Sequence, residues 1–214
     1  MQKSKLLRPN VIEDVFEILV AASEIQAEQL KSGKSQQGHE NEGEDKTVYY
    51  ALYLLNIYTK VKVQNANMID FLQRFLRLNP RTNDGNTLLH LAAWHGTPFY
   101  SYIYSDTLQS VCKLPCVETM KIILHAGCDV NAVNNDGNTP LHFAVTFKHA
   151  DPEEVVILSE MLLLLLDIGA DPNLANKNSQ TPLDHCESEE ARRILFEKGR
   201  LSTMNVDFRD VRKF

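Results

Sequence analysis

Cys112 and Cys116 stand four apart, with His95, His125 and Cys128 close in sequence, and short-spaced thiolates and imidazoles are what a tetrahedral zinc site requires. No second pair follows at the interval such sites use, so these thiols read as core or loop cysteines instead. His90, Asp84 and Cys112 offer the residue types of a base, an orienting acid and a nucleophile. His90, however, lies inside a phrase that recurs along the chain, and no Ser or Cys sits in an activated-nucleophile motif. A Gly-rich phosphate loop is also missing. The expectation is a chain that is not an enzyme and has no metal site or cofactor.

The other chemistry on offer is contact. Trp94, Phe99, Tyr100, Tyr102 and Tyr104 crowd into eleven residues. Exposed aromatics supply large contact area at little cost in rotamer freedom and dominate interface energetics, so this cluster is a candidate partner-binding surface. The competing reading packs the rings onto neighbouring helices. The acidic stretches Glu40 to Asp45 and Asp151 to Glu154 read as solvated faces.

The bulk numbers narrow the partner. A net charge of -6 over 214 residues, with pI near 5.6, opposes general affinity for nucleic acid, since phosphate binding needs a basic face. The longest apolar run, Val155 to Ile168, is interrupted by Ser159, Glu160 and Asp167 and is too short to cross a bilayer as a helix. Glu13, Asp14 and Glu17 break up any secretory signal after the basic N-terminus. Four cysteines make no disulfide framework. The expected location is the cytoplasm, extending to the nucleus, with other proteins as partners and neither nucleic acid nor membrane.

The positioning elements read as helices. Asn10 and Glu13 form a capping signal, and Val11, Ile12, Val15, Phe16, Ile18, Leu19, Ala22 and Ile25 repeat at helical spacing, which predicts a helix within 1–30. Residues 31–47, with three glycines and no large apolar side chain, read as a flexible linker. Val48 to Lys62 and Met68 to Leu78 are apolar on a helical period, a helical pair over 48–79. Then one phrase appears three times: DGNTLLHLAA from Asp84, DGNTPLHFAV from Asp136 and NSQTPLDHCE from Asn178. Before the last two stand the related HAGCDVNAVNN from His125 and DIGADPNLANK from Asp167.

These phrases resemble the T-P-L-H and G-A-D-V-N-A motifs of ankyrin repeats. The resemblance implies an all-α ankyrin-repeat solenoid over 80–198, preceded by the irregular helical segment and followed by a C-terminal tail, 199–214. Thr87, Thr139 and Thr181 would open the first helices, with Pro140 and Pro182 where a missing N–H costs nothing. His90 and His142 would tie one repeat to the next, while Asp184 in the third copy marks a terminal departure. Gly127 and Gly169 would end the second helices. Thr87 and Thr139 are 52 residues apart, and Thr139 and Thr181 are 42 apart, against ~33 in an ideal array. Insertions are therefore expected between the helices, at His95 to Cys116 and Phe147 to Val155. In such an array the hairpin tips face partners, which makes Asn83, Asp84, Asn135, Asp136, Lys177 and Asn178 candidate contacts.

The order of segments, with LNPRTNDGNTLLHLA at Leu78 to Ala92 and NKNSQTPLD at Asn176 to Asp184, is similar to the C-terminal half of the feminization-one (Fem) ankyrin proteins. That resemblance implies part of a substrate-recognition subunit of a cullin-RING ubiquitin ligase, a role in protein ubiquitination, with elongin and a cullin as partners. The family reads its targets mainly with an N-terminal array, and the expectation for this sequence is that such an array is missing. Its elongin box opens with Ser or Thr and Leu and carries a Cys. Here Lys198 to Phe214 keeps Leu201 and Met204, the candidate elongin contacts, without the Cys. The alternative is a non-ligase ankyrin scaffold, or a truncated competitor of the full-length receptor.

Overall fold

The computed structural model describes residues 48–49, 51–52, 55–56, 59, 67–94, 117–146 and 152–207, with side chains over 69–94, 117–146 and 154–198 and at the isolated positions before them. The helix expected within 1–30, the linker 31–47 and the first insertion, 95–116, lie outside the described residues. Among the described residues all regular structure is helical: α1 Asn67–Arg77, α2 Leu88–Ala93, α3 Val117–His125, α4 Pro140–Ala144, α5 Pro152–Ile168, a 3-10 helix Pro182–His185, and α6 Glu189–Asp207. Residues 48–49, 51–52, 55–56 and 59 are helical as well.

Three helix pairs follow one another: α2 with α3, α4 with α5, and the 3-10 helix with α6. First helices stack on first helices, and α1, α3, α5 and α6 form the second row. This is the ankyrin solenoid, and its core is continuous. Buried Leu52, Leu55, Leu72 and Phe75 lead into Leu88, Leu91, Met120 and Ile123, then Leu141, Leu158, Leu162 and Leu165, and finally Ala191, Ile194 and Leu195. A buried polar link crosses the front junction, where Thr119 Oγ1 donates to Asn56 Oδ1 and Thr59 lies beside it.

One expectation needs correction. The sequence spacing puts the second insertion at Phe147 to Val155, but α5 already begins at Pro152. A proline in the first turn loses no intrahelical bond, and Glu154 favours the positive end of the helix dipole, so PEEV starts the helix and does not extend the loop. At the other end α6 runs unbroken to Asp207.

The ends of the helices explain the phrases. Thr87, Thr139 and Thr181 hold extended backbone just before their helices, with Pro140 and Pro182 at the opening position of the second and third. The Thr87 N–H donates to His90 Nδ1 at 3.2 Å, and the Thr139 N–H to His142 Nδ1 at 3.0 Å. With Nδ1 accepting, each ring carries its proton on Nε2 and donates forward, to the Asn138 carbonyl at 2.9 Å and the Gln180 carbonyl at 3.1 Å. A neutral histidine thus closes its own helix and grips the next repeat. In the last copy Asp184 Oδ2 takes over the first task alone, accepting from Thr181 N–H at 2.7 Å and Thr181 Oγ1 at 2.8 Å.

The hairpin tips are closed by turns in which Gly85 N–H donates to Thr82 O, Gly137 N–H to Asn134 O and Ser179 N–H to Asn176 O. All three third-turn residues have positive φ, 78°, 81° and 59°. A Cβ at Gly85 would stand 2.4 Å from Asn135 Oδ1, and one at Gly137 would stand 2.9 Å from the Lys177 nitrogen. The left-handed turn alone therefore does not demand glycine, since Ser179 makes it; the approach of the following tip does.

Two outcomes test these points. Burial holds His90 well below its ordinary 6.5, at about 4, and lowers His142 as well. A depressed folded-state pKa means that the unfolded chain binds the extra proton first. Stability is therefore full above pH 6.5 and falls toward pH 4, by about 3 kcal/mol for His90 alone. In urea titrations His90→Asn, which can cap but cannot reach Asn138, should lose about 1–3 kcal/mol at pH 7 and show a shallower decline between pH 6.5 and 4 than the parent. Gly85→Ala and Gly137→Ala should each cost at least roughly 1–3 kcal/mol, whereas Ser179→Gly should leave the melting temperature nearly unchanged; equal losses at all three would disprove the stacking account.

Candidate functional site

The edge of the stack is built from asparagines. Asn134 Oδ1 accepts from the N–H groups of Asp136 and Asn138, at 3.0 and 2.9 Å, which shapes its own tip. Its Nδ2 donates back to Asn86 Oδ1 at 2.9 Å. Asn176 repeats the arrangement one unit on, accepting from Asn178 and Gln180 N–H and donating to Asn138 Oδ1 at 2.8 Å. The backbones meet as well: Asn135 N–H donates to Asp84 O and Lys177 N–H to Asp136 O, both at 2.9 Å. These bonds satisfy buried polar groups and hold neighbouring tips in one register.

That ladder fixes the candidate contacts of the tips. Asn83, Asp84, Asn135, Asp136, Lys177 and Asn178 are all exposed, two on each of three successive tips. They are not equivalent. Asn135 Nδ2 is spent on Asn83 O at 2.8 Å, inside the ladder. Among the described residues the carboxylates of Asp84 and Asp136 and the ammonium of Lys177 have no partner, so the edge runs from acidic at the first two tips to basic at the third. Unpaired charges on a rigid edge give orientation and association rate to an encounter more than raw affinity.

Beside the tips lie the first helices and their aromatics. Trp94, just past α2, is half-buried and meets Phe143 of α4 edge-on with ring centroids 5.5 Å apart. Phe143 meets His90 in the same manner at 5.4 Å. Trp94 thus packs across the junction between the first two repeats while keeping part of its surface open. Phe99, Tyr100, Tyr102 and Tyr104 lie outside the described residues. Leu201 and Met204 fall on the backbone of α6, and their side chains lie outside the described residues too.

The groups that suggested metal or nucleophilic chemistry are occupied otherwise. Both ring nitrogens of His90 are engaged by Thr87 and Asn138, so His90 has none left for Asp84 on the exposed tip. Burial, then the neighbouring Asp129 charge, pushes the Cys128 thiol up to about 12, and burial pushes Cys186 up to about 11, which keeps both protonated and inert. His125 Nδ1 lies 2.8 Å from the Lys121 carbonyl. Among the described residues no three His, Cys, Asp or Glu side chains converge on a metal-sized site, and no helix is long and apolar enough to cross a membrane. His95, Cys112 and Cys116 lie outside the described residues.

The sequence reading passed over Asn86, Asn134, Asn138 and Asn176, which do most to order the edge. Their signal was present: Asn134 and Asn176 stand three before the left-handed turn residue, and Asn86 and Asn138 follow directly after one.

Comparison with known proteins agrees with this architecture. Residues 108–158 match a family model for ankyrin repeats in many copies. The chain is 31% identical to human protein fem-1 homolog C over 124 residues, 58% of this chain and 18% of that protein. The zebrafish (Danio rerio) fem-1 homolog C is 30% identical over 121 residues, 56% and 17% of the two chains. Human oxysterol-binding protein-related protein 1 is 45% identical over 67 residues, 31% of this chain and 6% of that protein. The matched part spans less than a fifth of the fem-1 relatives. With its recurring phrases and its histidine-linked stack, the chain carries ankyrin repeats, and over a little more than half of its length it is similar to the fem-1 proteins.

Proposed function

We propose that this chain serves as the protein-binding part of a substrate-recognition subunit in a cullin-RING ubiquitin ligase, with the tip edge as its contact surface. The observation that carries the binding role is the exposed row of Asp84, Asp136 and Lys177, held at fixed intervals by a ladder of main-chain bonds and without side-chain partners among the described residues. Ankyrin repeats are protein-interaction modules, and a surface already ordered before binding loses little entropy when it is occupied. Likeness to fem-1 homolog C supports the ligase setting. In that setting Leu201 and Met204, on the stretch of α6 that continues past the last repeat to Asp207, are the candidate elongin contacts.

The experiment separates the two parts of the reading. Asp84→Asn, Asp136→Asn and Lys177→Gln together change surface charge only and should shift stability by less than about 0.5 kcal/mol per site. The triple variant should lose its captured partner by slowed association, and the loss should fade at high salt. Co-purification of elongin and a cullin with the parent, abolished by Leu201→Ser with Met204→Ser, supports the ligase assignment. Retention of the partner by the triple variant would refute the tip edge; no elongin or cullin with the parent would refute the ligase role.

A further inference from the structure

A groove of about 660 Å³ opens where the front of the stack is built differently from the rest. Three of the second-row helices are followed by a left-handed residue that starts the loop to the next tip: Asn79 after α1 (φ 50°), Gly127 after α3 (88°) and Gly169 after α5 (106°). From Gly127 to the tip residue Gly137 is ten positions, and from Gly169 to Ser179 again ten, but from Asn79 to Gly85 only six. The first loop therefore lacks the four-residue turn that Asp129 to Ala132 and Asp171 to Leu174 supply in the later ones. Pro80 and Arg81 cut the corner, with Arg81 Nη1 donating to Gly85 O at 3.0 Å and Val133 O at 2.6 Å.

The later junction shows what that missing turn would do. Asn131, in the turn after α3, lays its carboxamide across the start of the following loop. Its Nδ2 donates to Gly169 O, and its Oδ1 accepts from Asp171 N–H, both at 2.9 Å. One repeat earlier the same two backbone groups are Gly127 O and Asp129 N–H. Among the described residues neither makes a hydrogen bond, since the shortened loop has no counterpart of Asn131, although Asn79 lines the same groove. They line the groove, and its floor is apolar, formed by Leu76, Leu88, Leu89 and Ala132.

We propose that this groove binds a loop of a partner protein through the side-chain carboxamide of an asparagine or glutamine, gripped by Gly127 O and Asp129 N–H as Gly169 and Asp171 grip Asn131. The occupant continues the row of stacked loops by one unit, so the chain's own Asn131 contact supplies both the register and the donor–acceptor order. A carboxylate fits poorly, since one of its oxygens would face the Gly127 carbonyl. An aliphatic neighbour of the carboxamide covers the floor. The inference concerns a different face from the tip edge and stands whether or not that edge binds a partner.

The test uses the full chain, isotopically labelled, and two end-blocked peptides. One copies residues 126–133 with serine for its cysteine, AGSDVNAV; the other, AGSDVDAV, replaces the asparagine by aspartate. The first should move the amide resonances of Cys128 and Asp129, with those of Asp84 and Asp136 still, and the second should bind about tenfold more weakly or worse. Hydrogen exchange on the chain alone should show Asp171 N–H protected and Asp129 N–H open, with Asp129 becoming protected as the first peptide is added. Equal binding of both peptides, no shift at millimolar concentration, or shifts confined to the tips would overturn the proposal. So would an Asp129 amide already as protected as Asp171, which would mean that the chain fills the groove itself.

Discussion

Each junction between repeats turns on polar groups that are buried in one unit and satisfied by the next. His90 and His142 sit in the core with almost no exposure, and their Nε2 protons go to the carbonyls of Asn138 and Gln180 in the repeat that follows. A buried donor without its acceptor costs the full desolvation of that group, more than the bond returns when made. The second repeat must therefore arrive in one register or not at all, and the asparagine pairs at the edge repeat the demand. Leucine packing supplies most of the driving force, but a core shared by Leu88, Leu91 and Leu141 would tolerate small slips. The hydrogen bonds do not, and they convert a sticky stack of helices into one with a defined edge.

The same logic explains the ends of the array. Thr82 takes the place of Asn134 and Asn176 in the first tip. Its hydroxyl accepts from Asn86 N–H at 3.1 Å, which closes its own turn, but it has no amide to send backwards. At the other end Ser179 fills the position where Gly85 and Gly137 are needed, and Asp184 fills that of the forward-reaching histidines. Each substitution keeps what a residue does within its own repeat and drops what it does for a neighbour. At the front end Arg81 also replaces a missing turn with one guanidinium nitrogen on two carbonyls. The first and last of the described units thus differ chemically from the one between them.

How much of this could be read from the chain follows from where each instruction lies. Thr87, Thr139 and Thr181, the prolines after the last two, and Gly127 and Gly169 act through local backbone geometry, so their spacing announced the repeat and the helix limits directly. The start of α5 was misplaced because that helix carries little amphipathic signal. Flanked by α3, α4 and α6, it buries Leu158, Met161, Leu162 and Leu165 across a wide arc, while Val156 and Leu163 remain exposed; an apolar surface on most sides blurs the period that would have fixed its first turn. The asparagines were passed over for another reason. Asn beside Gly or Asp reads as turn chemistry, and that reading is true of Asn134 Oδ1. The second bond from Nδ2 to a residue 48 positions away has no local trace.

The tip side chains were legible as exposed, yet their roles diverged once the backbone was in place. Asn135 and Asp136 are neighbours of similar polarity on the same tip, and position alone made both candidates. In the fold, Asn135 turns its amide inward onto Asn83 O, while Asp136 is held through its backbone, donating from its N–H to Asn134 Oδ1 and accepting from Lys177 N–H at its carbonyl. That division frees the Asp136 carboxylate from any structural duty. A side chain can be changed for recognition without harm to the fold only where the backbone carries the structure, and this is why charge can vary from Asp84 to Asp136 to Lys177 along a ladder whose main-chain bonds keep one length. Recognition on this edge is written in side chains, and order in the main chain and the buried amides beneath them.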